Sequence, residues 1–328
     1  MPIDWTPFVE IVDRHRRFLL TTHVRPDGDG LGSMIALAET LRRRGKEVEL
    51  VTATTLPARY QFLNSGGQIK RFATGTSNWR KAEVIAVLDT GTWNQLGDFA
   101  QALRESAAAK VVIDHHQTQD DLGALRLVDA SAEATGRLVY EAIRALKEPL
   151  SQSAAEALFV AIAMDTGWFR HSNTTAATLA LEAELIAAGA RPAPLYELLF
   201  EQNTLPRLKL TGLILDRLQT AANGRIAYTE VRRSDYEATG ATPQDTEDLV
   251  NFPRSLSGVE VALFFMEQPP GGVKVSFRSR SRVDVARLAE RFGGGGHRLA
   301  SGATLEGSLE QARDRVLEAL FGLLKDGF

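Results

Sequence analysis

Phe18-Leu19-Leu20-Thr21-Thr22-His23-Val24-Arg25-Pro26-Asp27-Gly28-Asp29-Gly30 is the stretch that decides how this chain is read. An apolar run of strand length ends in a histidine and two acids, and a helical pattern follows. Over residues 33–44 Ile35, Ala38 and Leu41 share one helical face, and Gly45 suits the C-cap. Strand followed by helix, repeated, is the signature of a parallel α/β sheet. The same pattern recurs. Further strand-like runs lie at 48–52, 84–88 and 111–113, and helical patterns at about 132–146, 154–164 and 175–188.

These runs end in acids and histidines. Asp89 closes residues 84–88, Asp114-His115-His116 closes 111–113, and Asp165 closes the helical run 159–164. In an open parallel sheet the carboxyl ends of the strands share one edge, and ligands bind in the crevice outside it. Widely separated segments therefore deliver hard ligands to one place. Four converging aspartates, Asp27, Asp29, Asp89 and Asp165, would repel one another and raise their pKa values, whereas two divalent cations would balance them. Imidazoles among carboxylates point to Mn²⁺ rather than Ca²⁺, with Mg²⁺ or another transition ion also compatible. Two such ions about 3.5–4 Å apart can hold a hydroxide between them for in-line attack on phosphorus. An isolated Asp-Gly-Asp is ordinarily only a turn; its company here makes it a candidate site.

Composition limits the alternatives. The chain has 328 residues, about twice the common domain size, and a hydrophobic fraction of 44% that can fill sizeable cores. Its 38 basic and 41 acidic residues give a net charge of −3, not the basic surplus expected of a protein that grips duplex DNA. It has no cysteine, which excludes disulfides, zinc–thiolate sites, iron–sulfur clusters and thiol nucleophiles. Met1 to Thr6 lacks the pattern of a signal peptide. The most apolar stretch, 154–164, is too short to span a bilayer and carries Glu156. A cytoplasmic enzyme with no membrane contact is the expectation.

Gly189 to Pro194 breaks the pattern, which divides the chain into a catalytic domain at 1–190, a helical connector at 191–222 and a smaller domain at 223–328. The connector is expected to hold helices at 195–202 and 206–222. In the last segment, strands at 259–267 and 273–278 flank Pro269-Pro270-Gly271-Gly272, a hairpin turn signal. That implies an α+β domain with a mixed sheet.

This smaller domain holds a second constellation, Phe292-Gly293-Gly294-Gly295-Gly296-His297 followed by Leu299-Ala300-Ser301-Gly302. Gly294, Gly295 and Gly296 let the backbone approach an anion closely, and His297 adds a donor. No Lys-Ser/Thr follows, and the spacing is not that of a dinucleotide fingerprint. Strand alternation would place Arg278, Arg280 and Arg282 on one face as an anion clamp. Arg170 and His171 follow Asp165 at the expected metal edge, and Arg170 is a candidate to meet a substrate phosphate. Arg14-His15-Arg16-Arg17 and Arg42-Arg43-Arg44 read as solvated helix surface, and Trp79, Trp93 and Trp168 as packing residues.

His23, Pro26-Asp27-Gly28-Asp29 with Gly32-Ser33, Asp89, Asp114-His115-His116 and Asp165 resemble the four motifs of the DHH phosphoesterase superfamily. The run from Gly293 to Gly302 is similar to the signature of the DHH-associated C-terminal domain. The resemblance covers essentially the whole chain and is most similar to the subgroup of bifunctional oligoribonucleases and 3′-phosphoadenosine 5′-phosphate (pAp) phosphatases. It implies one metal held by His23, Asp27 and Asp89, and another held by Asp29, Asp89, His115 and Asp165, with Asp89 bridging. It further implies that Asp114 orients the imidazoles, that His116 faces the scissile phosphate, and that Arg278 and His297 grip the substrate's far phosphate. Gly30 departs from the pattern, where the family more often has Ala.

The expected function is thus Mn²⁺-dependent hydrolysis of short single-stranded RNA to 5′-mononucleotides and removal of the 3′-phosphate of pAp, in a cleft between the domains. Phosphodiesterase activity on linear or cyclic dinucleotides (pApA, cyclic di-AMP) is the alternative. A non-enzymatic nucleotide-binding scaffold would require a broken metal motif, and none is broken. A homodimer is compatible with the sequence.

Overall fold

In a computed structural model, residues 3–73, 78–268, 271–280 and 282–325 are described. Pro269 and Pro270 of the expected hairpin turn lie outside them, as do Met1 and Pro2 at the start of the chain. Packing divides the chain into two units, at Gln202 and Asn203.

The first unit is built on six parallel strands, β1 (Arg17–Thr21), β2 (Glu47–Thr52), β3 (Ile69–Arg71), β4 (Val84–Leu88), β5 (Ala109–Asp114) and β6 (Leu125–Val128). Their order is β3-β2-β1-β4-β5-β6, so the winding reverses between β1 and β4. The strands are apolar on both faces. Phe18, Leu20, Val84, Ala86, Leu88, Val111 and Ile113 join one core, while Leu19, Ile85, Val87 and Val112 join the other. Alternating side chains feed two layers, as a sheet covered on both sides requires.

Helices α1 (Thr6–Arg14), α2 (Gly28–Arg43), α3 (Phe99–Glu105), α4 (Thr135–Ala145), α5 (Gln152–Asp165), α6 (Ala176–Ala187) and α7 (Pro192–Phe200) complete this unit. Helix α2 begins five residues earlier than its apolar periodicity suggests. The Asp27 side chain accepts hydrogen bonds from the backbone N–H groups of Asp29 at 3.0 Å and Gly30 at 3.1 Å. The N-cap thus turns Gly28-Asp29-Gly30 into a first helical turn. Gly45, at φ 77°, ends the helix as expected. Helix α5, capped by Ser151, is buried along most of its length and ends at Asp165.

The second unit contains helices α8 (Leu205–Asp216), α9 (Arg233–Thr239), α10 (Asn251–Ser255), α11 (Val285–Glu290) and α12 (Leu309–Lys325). Its strands are β7 (Gln219–Ala221), β8 (Ile226–Val231), β9 (Val261–Glu267), β10 (Val273–Ser279), β11 (Gly295–His297) and β12 (Ala300–Leu305). They form a mixed sheet in the order β11-β12-β10-β9-β8-β7, in which β8 and β9 are parallel. Leu263, Phe265, Val275 and Phe277 pack with residues of α11 and α12. Ala262, Phe264 and Met266 face the other way, onto Leu210 and Ile214 of α8.

Three sequence expectations change. The segment 191–222 is not an independent connector, because α7 buries Leu195 and Leu199 in the first core while α8 buries Leu210 and Ile214 in the second. The helix expected to Ala222 stops at Asp216, and Gln219–Ala221 pairs with β8 instead. The glycine run includes a strand, β11. No helix among the described residues is long and apolar enough to cross a membrane.

Candidate metal centre

The carboxyl ends of β1, β4 and β5 and the last turn of α5 bring six predicted ligands together at the point where the winding reverses. His23 follows β1 and donates Nδ1–H to the carbonyl of Val24 at 2.9 Å. Its Nε2 therefore faces outward, 3.5 Å from Asp27 Oδ1 and 3.4 Å from Asp89 Oδ2. His115 follows β5 and is arranged in the same way, with Nδ1 on the carbonyl of Ala132 at 3.2 Å. Its Nε2 lies 3.8 Å from Asp29 Oδ2, 3.6 Å from Asp89 Oδ1 and 3.5 Å from Asp165 Oδ2. Asp89 belongs to both groups. One carboxylate oxygen faces each imidazole, and a left-handed backbone at φ 62° turns the side chain into that position.

Within each of the groups His23–Asp27–Asp89, Asp29–His115–Asp165 and Asp89–His115–His116, the ligating atoms lie within 4.8 Å of one another. The donor chemistry fits hard or borderline divalent ions: imidazoles whose Nδ1 is tied to a carbonyl, and carboxylates of which Asp29 and Asp89 are buried. Electrostatics point the same way. Burial, followed by repulsion from Asp89, Asp165 and Asp27, raises the pKa of Asp29 well above the ordinary carboxylate range. Asp89 is raised by burial, against the pull of His23. Burial lifts Asp165 to about 6 despite His115. Burial disfavours the His23 imidazolium, but Asp27 and Asp89 overcome it and push that pKa up to about 11. Left to itself, the cluster holds protons; cations would replace them.

In the second unit, strand register sorts the predicted anion ligands. Arg278 on β10 pairs with Ala300 on β12, which pairs with His297 on β11. Residues paired across strands point to one face, so Arg278 and His297 flank the small Ala300 side chain. Arg280 lies beyond the end of β10 and donates to the carbonyls of Arg254 at 3.0 Å and Leu256 at 3.1 Å. Arg282 is also past the strand, so the expected three-arginine face does not form. Two of the glycines serve the sheet rather than a ligand. A Cβ on Gly294 would sit 2.2 Å from the Gly302 carbonyl oxygen, and one on Gly296 2.6 Å from Ser301 Cα. Gly295 faces open space.

Comparison with known proteins decides the family. Residues 17–162 match the DHH family, N-terminal domain, and residues 223–326 match the DHHA1 domain. The chain is 32% identical over 325 residues to the bifunctional oligoribonuclease and PAP phosphatase NrnA of Bacillus subtilis (strain 168), covering 98% of this chain and 99% of that protein. This chain belongs to the DHH phosphoesterase family. It is accordingly a metal-dependent phosphoesterase. A solved structure of an exopolyphosphatase-related protein from Bacteroides fragilis shares the fold, with a TM-score of 0.90 at 24% identity, covering 98% of this chain and 97% of that one. The exonuclease RecJ bound to manganese superposes with a TM-score of 0.56 at 16% identity, covering 98% and 95% of the two chains.

Several residues that support the DHH site escaped the sequence reading. Thr135 and Gly136, at the start of α4, donate their backbone N–H groups to Asp29 at 2.6 and 2.8 Å, and the Thr135 hydroxyl donates to Asp89 at 3.0 Å. A helix N-terminus thus holds the carboxylate of a candidate ligand in place. The departure at Gly30 has a local reason, because a Cβ there would meet Thr22 Oγ1 at 2.3 Å. After Asp165, Gly167, Trp168 and Phe169 all take positive φ, and this tight turn returns His171 Nδ1 and Asn173 Nδ2 to the Asp165 carbonyl, each at 3.4 Å. Trp168 and Phe169 pack edge-on against Phe159, which fits the packing role expected for Trp168. Arg170 is exposed, with its Nε donating to the Gly167 carbonyl at 2.7 Å.

Proposed function

We propose that this chain is a Mn²⁺-dependent phosphoesterase that hydrolyses short RNA oligonucleotides to 5′-mononucleotides and removes the 3′-phosphate of pAp. The observation that carries the reading is Asp89, with one oxygen toward His23 and the other toward His115. One ion would be held by His23, Asp27 and Asp89, and a second by Asp29, Asp89, His115 and Asp165. The likeness to the Bacillus subtilis oligoribonuclease and PAP phosphatase supports the substrate class, and the manganese in the RecJ structure is compatible with the metal.

Bound there, such ions would lower the pKa of a water nucleophile and offset charge developing at phosphorus. The rest falls to side chains. His116 is exposed, and its Nδ1 is bound to Asp114 Oδ1 at 2.8 Å. The bond to Asp114 pushes the imidazole pKa up to about 9. His116 can thus present a charged Nε2–H donor to a phosphate oxygen, where charge-assisted bonds are strongest. Arg170 would add a second donor from the turn after Asp165. In the DHHA1 domain, Arg278 and His297 would bind the terminal phosphate of a short strand, with the exposed backbone around Gly295 beside them; Arg280 serves to hold the Arg254–Leu256 segment.

The test is a product profile with Mn²⁺ on pAp, pApA, cyclic di-AMP, 5′-labelled RNAs of about two to five nucleotides, a longer RNA and pyrophosphate. Rapid conversion of the short RNAs and pAp, with the long RNA slow, is the expected result. Cleavage confined to dinucleotides such as pApA or cyclic di-AMP, or to pyrophosphate, would overturn the substrate assignment while leaving the metal centre in place.

A further inference from the structure

Gln119 lies in the loop after β5, and nothing in the metal chemistry calls for it. Its Nε2 donates to Asp114 Oδ2 and, at 3.0 Å, to the main-chain carbonyl of His116. Both partners are acceptors, so the amide can point only its nitrogen toward them. Oε1 then faces the other way, where it is buried and has no hydrogen-bond partner. It lies directly over Gly91, where a Cβ would come within 1.8 Å of it. Gly91 and Gln119 form a parallel bridge, and the Asp120 N–H donates to the Gly91 carbonyl at 2.8 Å. The loop that carries Asp89 and the loop that carries His115 and His116 are therefore locked together at this contact.

Asp114 is fully buried. Its Oδ1 accepts both the backbone N–H of His116, at 3.1 Å, and the ring Nδ1–H, at 2.8 Å. Those two bonds hold one edge of the carboxylate. The Gln119 amide on Oδ2 fixes the other edge. A buried amide oxygen without a partner is costly. A side chain of the same length without polar atoms would avoid that cost but would not hold the carboxylate.

We propose that Gln119, seated on Gly91, is a positioning residue for the phosphoester reaction: it locks the Asp114 carboxylate so that the His116 ring is presented with Nδ1 inward and Nε2 toward the phosphate. The inference rests on the reading of His116 as the phosphate-facing donor. Gln119 acts through Asp114 and His116, the two residues its amide nitrogen binds. Gly91 is part of the device, because any side chain there displaces the amide.

The test is a double-mutant cycle on the full chain with Mn²⁺ and a short labelled RNA, reading kcat and KM separately. Gln119→Met keeps the length and removes the donor; Gln119→Asn keeps the amide but draws it back, and serves if the first variant fails to fold. Either is expected to lower kcat by about 10- to 100-fold while KM and Mn²⁺ stoichiometry stay near wild type. Gly91→Ala should act in the same direction. In a His116→Ala background the Gln119 substitution should have no further effect, because its route of action is gone. An unchanged kcat in the folded Gln119 variants, or a loss that persists undiminished without His116, would overturn the inference. Wild-type kcat in His116→Ala alone would instead overturn the reading of His116 beneath it.

Discussion

The acid–histidine edge of the first unit and the arginine–glycine edge of the second both gather chemistry-bearing residues at the rim of a six-stranded sheet, but by different means. In the first, parallel strands all end on one side, so residues far apart in sequence meet because each terminates its own element. In the second, antiparallel neighbours bring Arg278, Ala300 and His297 into one row, and strand register decides which residues share a face. The first arrangement concentrates like charge that a cation must balance. The second spaces single positive groups around a small residue, which suits an anion. On the proposed reading, one edge holds metal and the other binds phosphate.

The sharpest way to break this comparison is Asp89→Ala, which removes a ligand common to both groups. Turnover is expected to fall by about 10³-fold or more, with the fold retained as judged by circular dichroism. Substantial residual activity would mean that the two groups do not share a ligand. Arg278→Ala probes the other edge. A charge-assisted hydrogen bond is worth about 1.5–3 kcal/mol, so KM for short RNA should rise by about 10- to 100-fold, with Mn²⁺ stoichiometry unchanged. Loss of metal in that variant would contradict the division of labour.

Glu182 sharpens the comparison from within the first unit. It is a buried acid on α6 whose two carboxylate oxygens have no hydrogen-bond partner. Burial, with Glu133 nearby and Arg137 only partly opposing it, pushes its pKa up to about 9. Unlike the metal-edge aspartates, it belongs to no cluster of metal-ligating side chains among the described residues, and it holds its proton near neutral pH. A raised carboxyl pKa means that the folded state binds the extra proton. The stability present below about pH 4.5 is therefore lost progressively as pH rises toward 9. Glu182→Gln should raise Tm by a few degrees at pH 8 and flatten the pH dependence, while leaving Tm at pH 4 nearly unchanged. A variant less stable than wild type at pH 8 would show that the carboxylate is ionised and paired.

The two edges also differ in how far the sequence reveals them. His23, Asp27, Asp29, Asp89, His115 and Asp165 are legible because each stands at or near the end of a run whose period is plain, and a parallel sheet needs nothing more to bring them together. What holds them is not legible. The amides of Thr135 and Gly136 carry no side-chain signal, and their reach to Asp29 depends on where α4 begins, three residues later than its apolar pattern suggests. Gln119 and Gly91 are ordinary residues until the loops after β4 and β5 are seen in contact. At the second edge, the alternation that would set Arg280 and Arg282 beside Arg278 ends at Ser279, where β10 stops. A glycine run reads equally as a ligand cradle or as close strand packing, and only register separates them. The division between α7 and α8 was hidden for the same reason: short amphipathic helices do not announce which core will take their leucines.

The central claim is that one carboxylate, Asp89, joins two metal groups into a pair. Its most direct test is titration of the metal-free protein with Mn²⁺, followed by low-temperature electron paramagnetic resonance, for wild type and Asp89→Asn. Two ions per chain with an exchange-coupled signal are expected in wild type, with that coupling lost in the variant. A single ion per chain, or two uncoupled ions indifferent to Asp89, would contradict it.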